Sequence, residues 1–145
     1  MREDVTACGI LAAVSQQDLD FVLSAYARFN AGEHVPASWF WHEDGEYETS
    51  SADPDSAVHS GLEAIRRQFE RWLETYPDLQ VEPLEARAQG DKVFVWTRFV
   101  GRGASSGVPI DMNLAQVYEM RDGRALRCVE YMDRDEGLAA AGLHA

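Results

Sequence analysis

The 145-residue chain is expected to fold as an α+β protein, and three observations carry that expectation. Helix-period apolar stripes occupy its first half. Four strand-like runs rich in Val, Phe, Leu and Trp occupy its second half. The turns between those runs are short, so consecutive strands must pair antiparallel. An antiparallel sheet with three helices before it buries one face under them, which is α+β architecture. Residues 1–16 read as a flexible N-terminal segment and residues 17–145 as one domain, a length that suits a single core.

Gln17 to Ala31 carries Leu19, Val22, Leu23, Tyr26 and Phe29 at helical spacing, and Gly32 follows as a stop signal. A short second helix is expected over Val35 to Trp41, with Pro36 near its start. Glu46 to Thr49 alternates as a brief strand. Ser50 to Ser60 is polar, contains Asp53-Pro54-Asp55, and reads as a loop. Gly61 to Tyr76 is the clearest helix: Leu62, Ile65, Phe69, Trp72 and Leu73 mark a dry face, charged residues mark the wet one, and Pro77 ends it. Strands follow at Leu79 to Ala88, Lys92 to Arg102, Val108 to Met120 and Ala125 to Asp133. Gly90-Asp91 and Gly103 to Gly107 read as connecting turns, and Asp122-Gly123 is a strong hairpin signal. A terminal helix is expected from Asp135 to Leu143.

Composition narrows the partners. A net charge of −12 repels phosphate backbones and anionic bilayers, so neither nucleic acid nor membrane is expected as a partner. No apolar run approaches the roughly 20 residues of a membrane-spanning helix. Met1-Arg2-Glu3-Asp4 has acids where a signal peptide has bases, and the expected location is the cytoplasm. Cys8 and Cys128 read as reduced structural thiols. His34, His42, His59 and His144 are scattered, and no metal site is expected.

Four segments carry a family likeness. They are Ala25-Tyr26-Ala27-Arg28-Phe29-Asn30-Ala31-Gly32, Gly61-Leu62-Glu63-Ala64-Ile65-Arg66, Leu73-Glu74-Thr75-Tyr76-Pro77-Asp78-Leu79, and Arg121-Asp122-Gly123-Arg124-Ala125-Leu126 with Glu130-Tyr131-Met132-Asp133. Each is weak alone, but their order and spacing resemble SnoaL-like proteins of the nuclear-transport-factor-two-like class from about residue 17 to Leu143. The resemblance implies a cone: a curved antiparallel sheet wrapped around three N-terminal helices, with a central pocket. The class includes polyketide cyclases, ketosteroid isomerase, limonene epoxide hydrolase and scytalone dehydratase, so fold alone leaves function open.

Strand alternation, anchored by that resemblance, assigns the pocket. Glu130 is expected to point inward, and Arg98 with it. Both are read as candidate catalytic groups, with Cys128 and Met132 on the same face as Glu130. Trp96, Met112, Leu114, Gln116 and Tyr118 are expected to line the cavity from the strands, Tyr47 and Thr49 from the short strand, and Trp72 from the third helix. His59 sits before that helix as an entrance residue or a solvated loop histidine. A carboxylate in an apolar cavity suits general acid or base work, yet an ion pair between Glu130 and Arg98 would only close the floor. The position two after Arg98 is Val100, which breaks the acid–Arg–acid pattern of the epoxide hydrolase. No histidine falls on the inward strand positions, against a dehydratase.

Two uses of such a pocket stay open. One is a cofactor-independent isomerase, cyclase or hydratase acting on a small apolar or cyclic molecule. The other is a binding protein without turnover. A third reading makes the chain an interaction module. Thr97, Phe99, Val117 and Val129 take the outward parity, and apolar residues there point to a homodimer through the outer sheet face.

Overall fold

The computed structural model describes residues 2–50 and 57–144, with side chains described from Val14 onward. The elements are α1 (Arg2–Asn30), α2 (Ala37–Phe40), β1 (Trp41–Glu48), β2 (Val58–Ser60), α3 (Leu62–Thr75), β3 (Gln80–Gln89), β4 (Lys92–Arg102), β5 (Pro109–Arg121), β6 (Arg124–Tyr131) and α4 (Arg134–Ala140). The expected order of helices and strands is present in an α+β fold. Helix α1 starts well before Gln17, and α2 is a single turn that gives way at Trp41 to a longer β1. Residues 58–60, read as loop, form the edge strand β2 against β1. The Asp53-Pro54-Asp55 turn lies outside the described residues.

Six strands form one curved, unclosed sheet in the order β2-β1-β6-β5-β4-β3. Strands β3 to β6 are antiparallel neighbours joined by short turns, as the turn chemistry dictates. The pairing of β1 with β6 is parallel, so the sheet is mixed and not wholly antiparallel. Parallel pairing needs a long crossover. Here everything from α3 to β5 supplies it.

The sheet is covered on both sides. On the concave side Val93, Val95, Phe99, Leu114, Tyr118 and Cys128 join Val22 and Tyr26 of α1 and Ile65 of α3 in the main core. On the convex side Phe94, Ala115 and Val117 pack under Leu138 and Ala141 of α4. Gly137 sets how close α4 comes, since a Cβ there would lie 2.5 Å from the Ala115 Cβ and 3.1 Å from the Phe94 ring.

This double coverage corrects the expected parity of β4. Residues paired across adjacent strands face the same side, and Thr97 pairs with Leu114, Val95 with Gln116 and Phe99 with Met112. The inward set on β4 is therefore odd-numbered. Thr97 is fully buried and Phe99 nearly so, while Arg98 is exposed. Trp96 packs against the cluster under α4 instead of the pocket. The sequence could not settle this, because Val93-Phe94-Val95-Trp96 is apolar on both faces and a one-residue slip exchanges them. Two of the four residues that argued for outer-face pairing, Thr97 and Phe99, point inward, and Val117 is covered by α4.

Replacing Gly137 by Val forces α4 away from Ala115, and overpacking of this kind costs about 1–3 kcal/mol. Urea denaturation should show a lowered midpoint for Gly137→Val. An unchanged midpoint would mean that α4 does not dock through this contact.

Candidate functional site

Glu130 lies near the end of β6 on the concave face, is buried, and is surrounded by donors. Its Oε2 accepts the Tyr47 hydroxyl at 2.6 Å and the Gln116 amide at 2.8 Å. Its Oε1 accepts the Ser50 backbone N–H at 3.1 Å. The placement follows from the sheet: Gln116 is the cross-strand partner of Glu130, and Tyr47 reaches it across the parallel β1–β6 seam. Buried polar groups must be hydrogen-bonded, and here the polar side chains satisfy one another.

The network continues away from the carboxylate. Gln116 Nε2 also donates to the Tyr47 oxygen at 2.8 Å. Gln116 Oε1 accepts the Tyr26 hydroxyl from α1 and lies 3.2 Å from the Tyr118 hydroxyl. Tyr26 and Tyr118 hydroxyls are 2.8 Å apart. Burial pushes all three phenols well above their ordinary range, and the nearby Glu130 carboxylate adds to the rise at Tyr47. Burial likewise raises the Cys128 thiol, with Glu130 contributing, which keeps it neutral and inert.

Two cavities flank this network. The first, about 480 Å³, lies between α1, α2, α3 and the sheet, walled by Phe29, Phe40, Trp41, Phe69, Trp72 and Phe99. Tyr26, Gln116 and Tyr118 form its polar end, and Glu33, His34, Arg66 and Glu70 supply its charged and polar lining. The second, about 450 Å³, is bounded by Ser50, Gln68, Trp72, Met112, Leu114 and Glu130. Trp72 and Phe99 line both, with ring centroids 6.1 Å apart at 90°. Trp72 also meets Tyr47 and Phe69 edge-on at 5.7 and 5.4 Å. Offset edge-to-face packing of this kind makes a stiff apolar wall.

The expected residues divide accordingly. Gln116, Tyr118 and Trp72 line the first cavity, and Trp72, Met112, Leu114 and Glu130 line the second. Tyr47 sits behind the walls, hydrogen-bonded to Glu130. Thr49 is buried beside the β1 end, where its hydroxyl receives the Ala57 N–H at 3.2 Å, and it lines neither cavity. His59 pairs opposite Tyr47 on the edge strand and lines neither cavity. Met132 is 53% exposed, beyond the end of β6.

The expected Glu130–Arg98 pair does not form. Arg98 is on the convex face, clamped to Asp111 by bonds of 2.9 and 2.7 Å, with Glu82 at 3.9 Å. Its hydrogen bond holds the Asp111 carboxyl below the usual carboxylate range. Arg98 cannot orient a ligand in the cone.

Tyr26, Phe40, Trp41, Phe69 and Phe99 are site residues absent from the sequence-based set. A signal for Tyr26 was present: it lies in the apolar stripe of α1, and a buried phenol needs a polar partner. Phe40 and Trp41 were legible only as packing. Phe21 stacks on Phe40 at 5.5 Å and 8°, and the Arg28 guanidinium lies 4.7 Å from the Trp39 ring, which fixes the single-turn α2 over the cavity. Among the described residues no three His, Cys, Asp or Glu side chains gather as a metal site, and no helix is long and apolar enough to cross a membrane.

This combination of a six-stranded curved sheet, covering helices and a polar-floored cavity defines a class. Residues 10–128 match the SnoaL-like domain, and the chain belongs to that family. Similar solved structures include Bal32a from a soil-derived mobile gene cassette, with 24% identity, TM-score 0.73, and coverage of 81% of this chain and 89% of that one. A putative SnoaL-like polyketide cyclase from Jannaschia sp. CCS1 has 17% identity and TM-score 0.71, over 82% and 87% of the two chains. TerC co-crystallised with polyporic acid has 20% identity and TM-score 0.68, over 81% and 92%. No curated protein matches the chain significantly.

Removing the carboxylate in Glu130→Ala strips acceptors from Tyr47, Gln116 and the Ser50 amide at once. Unsatisfied buried donors cost about 1–3 kcal/mol each, so chemical denaturation should show a loss of several kcal/mol. A near-neutral result would mean that water reaches this floor. The raised phenols fix a second outcome. The unfolded chain releases its tyrosine protons near pH 10. The folded chain holds those of Tyr26, Tyr47 and Tyr118 to higher pH. Their stabilising contribution is therefore whole below about pH 10 and is lost as pH rises beyond it. Absorbance titration near the phenolate band should show these three ionising only with alkaline unfolding.

Proposed function

We propose that the chain binds a small, mostly apolar, cyclic molecule in the first cavity, with Tyr26, Gln116 and Tyr118 as the polar end of the site. The observation that carries this reading is a space of about 480 Å³ with aromatic walls and a hydrogen-bonded floor. Ligand sites are typically apolar pockets of this size with a few convergent polar groups. The co-crystallisation of TerC, a fold relative, with polyporic acid supports a small molecule as the occupant.

A second reading is favoured by one observation: Glu130 borders the second cavity beside Ser50 and Met112. There its carboxylate would act as a general base, taking a proton from an activated carbon and returning it elsewhere, as isomerases and cyclases do. Its saturation with donors favours the binding role, because hydrogen bonds to the charged form weaken a base.

The neutral fluorescent probe N-phenyl-1-naphthylamine tests the first reading. It should bind one per chain with a gain in emission. Ala25 borders the cavity, so Ala25→Phe should abolish most of that gain while leaving the circular dichroism spectrum intact. Equal gains in the two proteins would place the probe elsewhere and remove the support for this pocket.

A further inference from the structure

The hydrogens of the buried network can be counted, and the count fixes which kind of ligand group the first cavity accepts. Glu130 accepts hydrogen bonds on both oxygens, and this fixes the orientation of Gln116: the amide Nε2 faces Glu130 and Tyr47, and Oε1 faces Tyr26 and Tyr118. The opposite orientation would set an amide oxygen against the carboxylate. At the other side of Gln116, three oxygen contacts meet: Tyr26 with Gln116 Oε1, Tyr26 with Tyr118 at 2.8 Å, and the longer Tyr118 to Gln116 Oε1 contact at 3.2 Å. Only the two phenolic hydrogens are there to fill them. The Tyr26 hydrogen goes to Gln116, and the Tyr118 hydrogen goes to Tyr26 or is shared with Gln116 Oε1. Both are spent inside the protein, and every hydrogen in the chain points toward Glu130.

We infer that the polar end of the first cavity presents phenolic lone pairs and no hydrogen, so that the site selects a ligand bearing a hydroxyl, such as a phenol or enol, over a ketone of the same shape. This rests on the cavity being the binding site. The specificity-determining residue is Glu130, which does not line that cavity and acts through Gln116. A ligand hydroxyl can donate to Tyr118. A ligand carbonyl turned to this end would meet lone pair against lone pair and stay unsatisfied there, a mismatch that polar sites reject.

Calorimetric titration of the intact protein with 2-naphthol and with 2-tetralone tests the inference, since one carries a hydroxyl where the other carries a carbonyl on the same bicyclic carbon skeleton. 2-Naphthol should bind about tenfold tighter or more. Equal affinity, or a preference for 2-tetralone, would overturn the inference while leaving the pocket in place. Failure of both to bind at millimolar concentration would overturn the pocket as well. Glu130→Gln supplies an N–H where there was only an acceptor, frees Gln116 to turn over, and lets the Tyr118 hydrogen face the cavity. The ratio of the two affinities should then collapse or reverse, a change that a loss of packing alone would not produce. The wild-type comparison stands whether or not that variant folds.

Discussion

A carboxylate placed inside a protein core must be compensated, and the interior of this fold is organised around doing so. Glu130 is met by a β1 phenol, a β5 amide and a backbone N–H just after β1. These groups come from two parts of the chain far apart in sequence, β1 with the residues just after it and β5. Satisfying them together fixes the register of β5 against β6 and the approach of β1 to the seam. It also explains why three tyrosines with buried hydroxyls occur in one small core. Each passes its hydrogen toward Glu130. The aromatic walls then complete what the polar floor begins, since Trp72, Phe69 and Tyr47 pack edge to face.

Much of this was readable from residue order. The α3 stripe, the Asp122-Gly123 hairpin and the run of four strands announce an α+β sheet, and Gln116, Tyr118 and Glu130 fall on the concave face as alternation predicts. What alternation could not deliver was β4. Its two faces are both buried, one under helices α1 and α3 and the other under α4, so hydrophobicity carries no parity there. The error placed Arg98 beside Glu130, where a charge pair seemed chemically attractive. In the fold its partner is Asp111 on the adjacent strand, two exposed residues whose pairing needs no burial.

The site draws on residues that sequence order disperses. Tyr26 and Gln116 are 90 positions apart and form one hydrogen-bonded unit. Phe40 and Trp41 are drawn over the cavity because α2 ends after one turn and β1 begins at once. Such placements depend on where a helix stops, and a boundary shift of a few residues moves a wall residue out of the site. The family relation leaves this open as well, since likeness at about one-fifth identity speaks for the fold alone.

The parallel seam between β1 and β6 has a consequence for the order of assembly. Tyr47 and Glu130 are 83 residues apart, and the strand that carries Glu130 is the last of the sheet to be synthesised. On the ribosome helices α1 to α3 and the β3–β5 meander emerge before β6, with β1 waiting at an unfilled edge. Contacts of such long range form late and slow folding. The polar network around Glu130 thus has no nascent form: it comes into being only once β6 has emerged, and until then the aromatic walls are exposed surface, prone to aggregation.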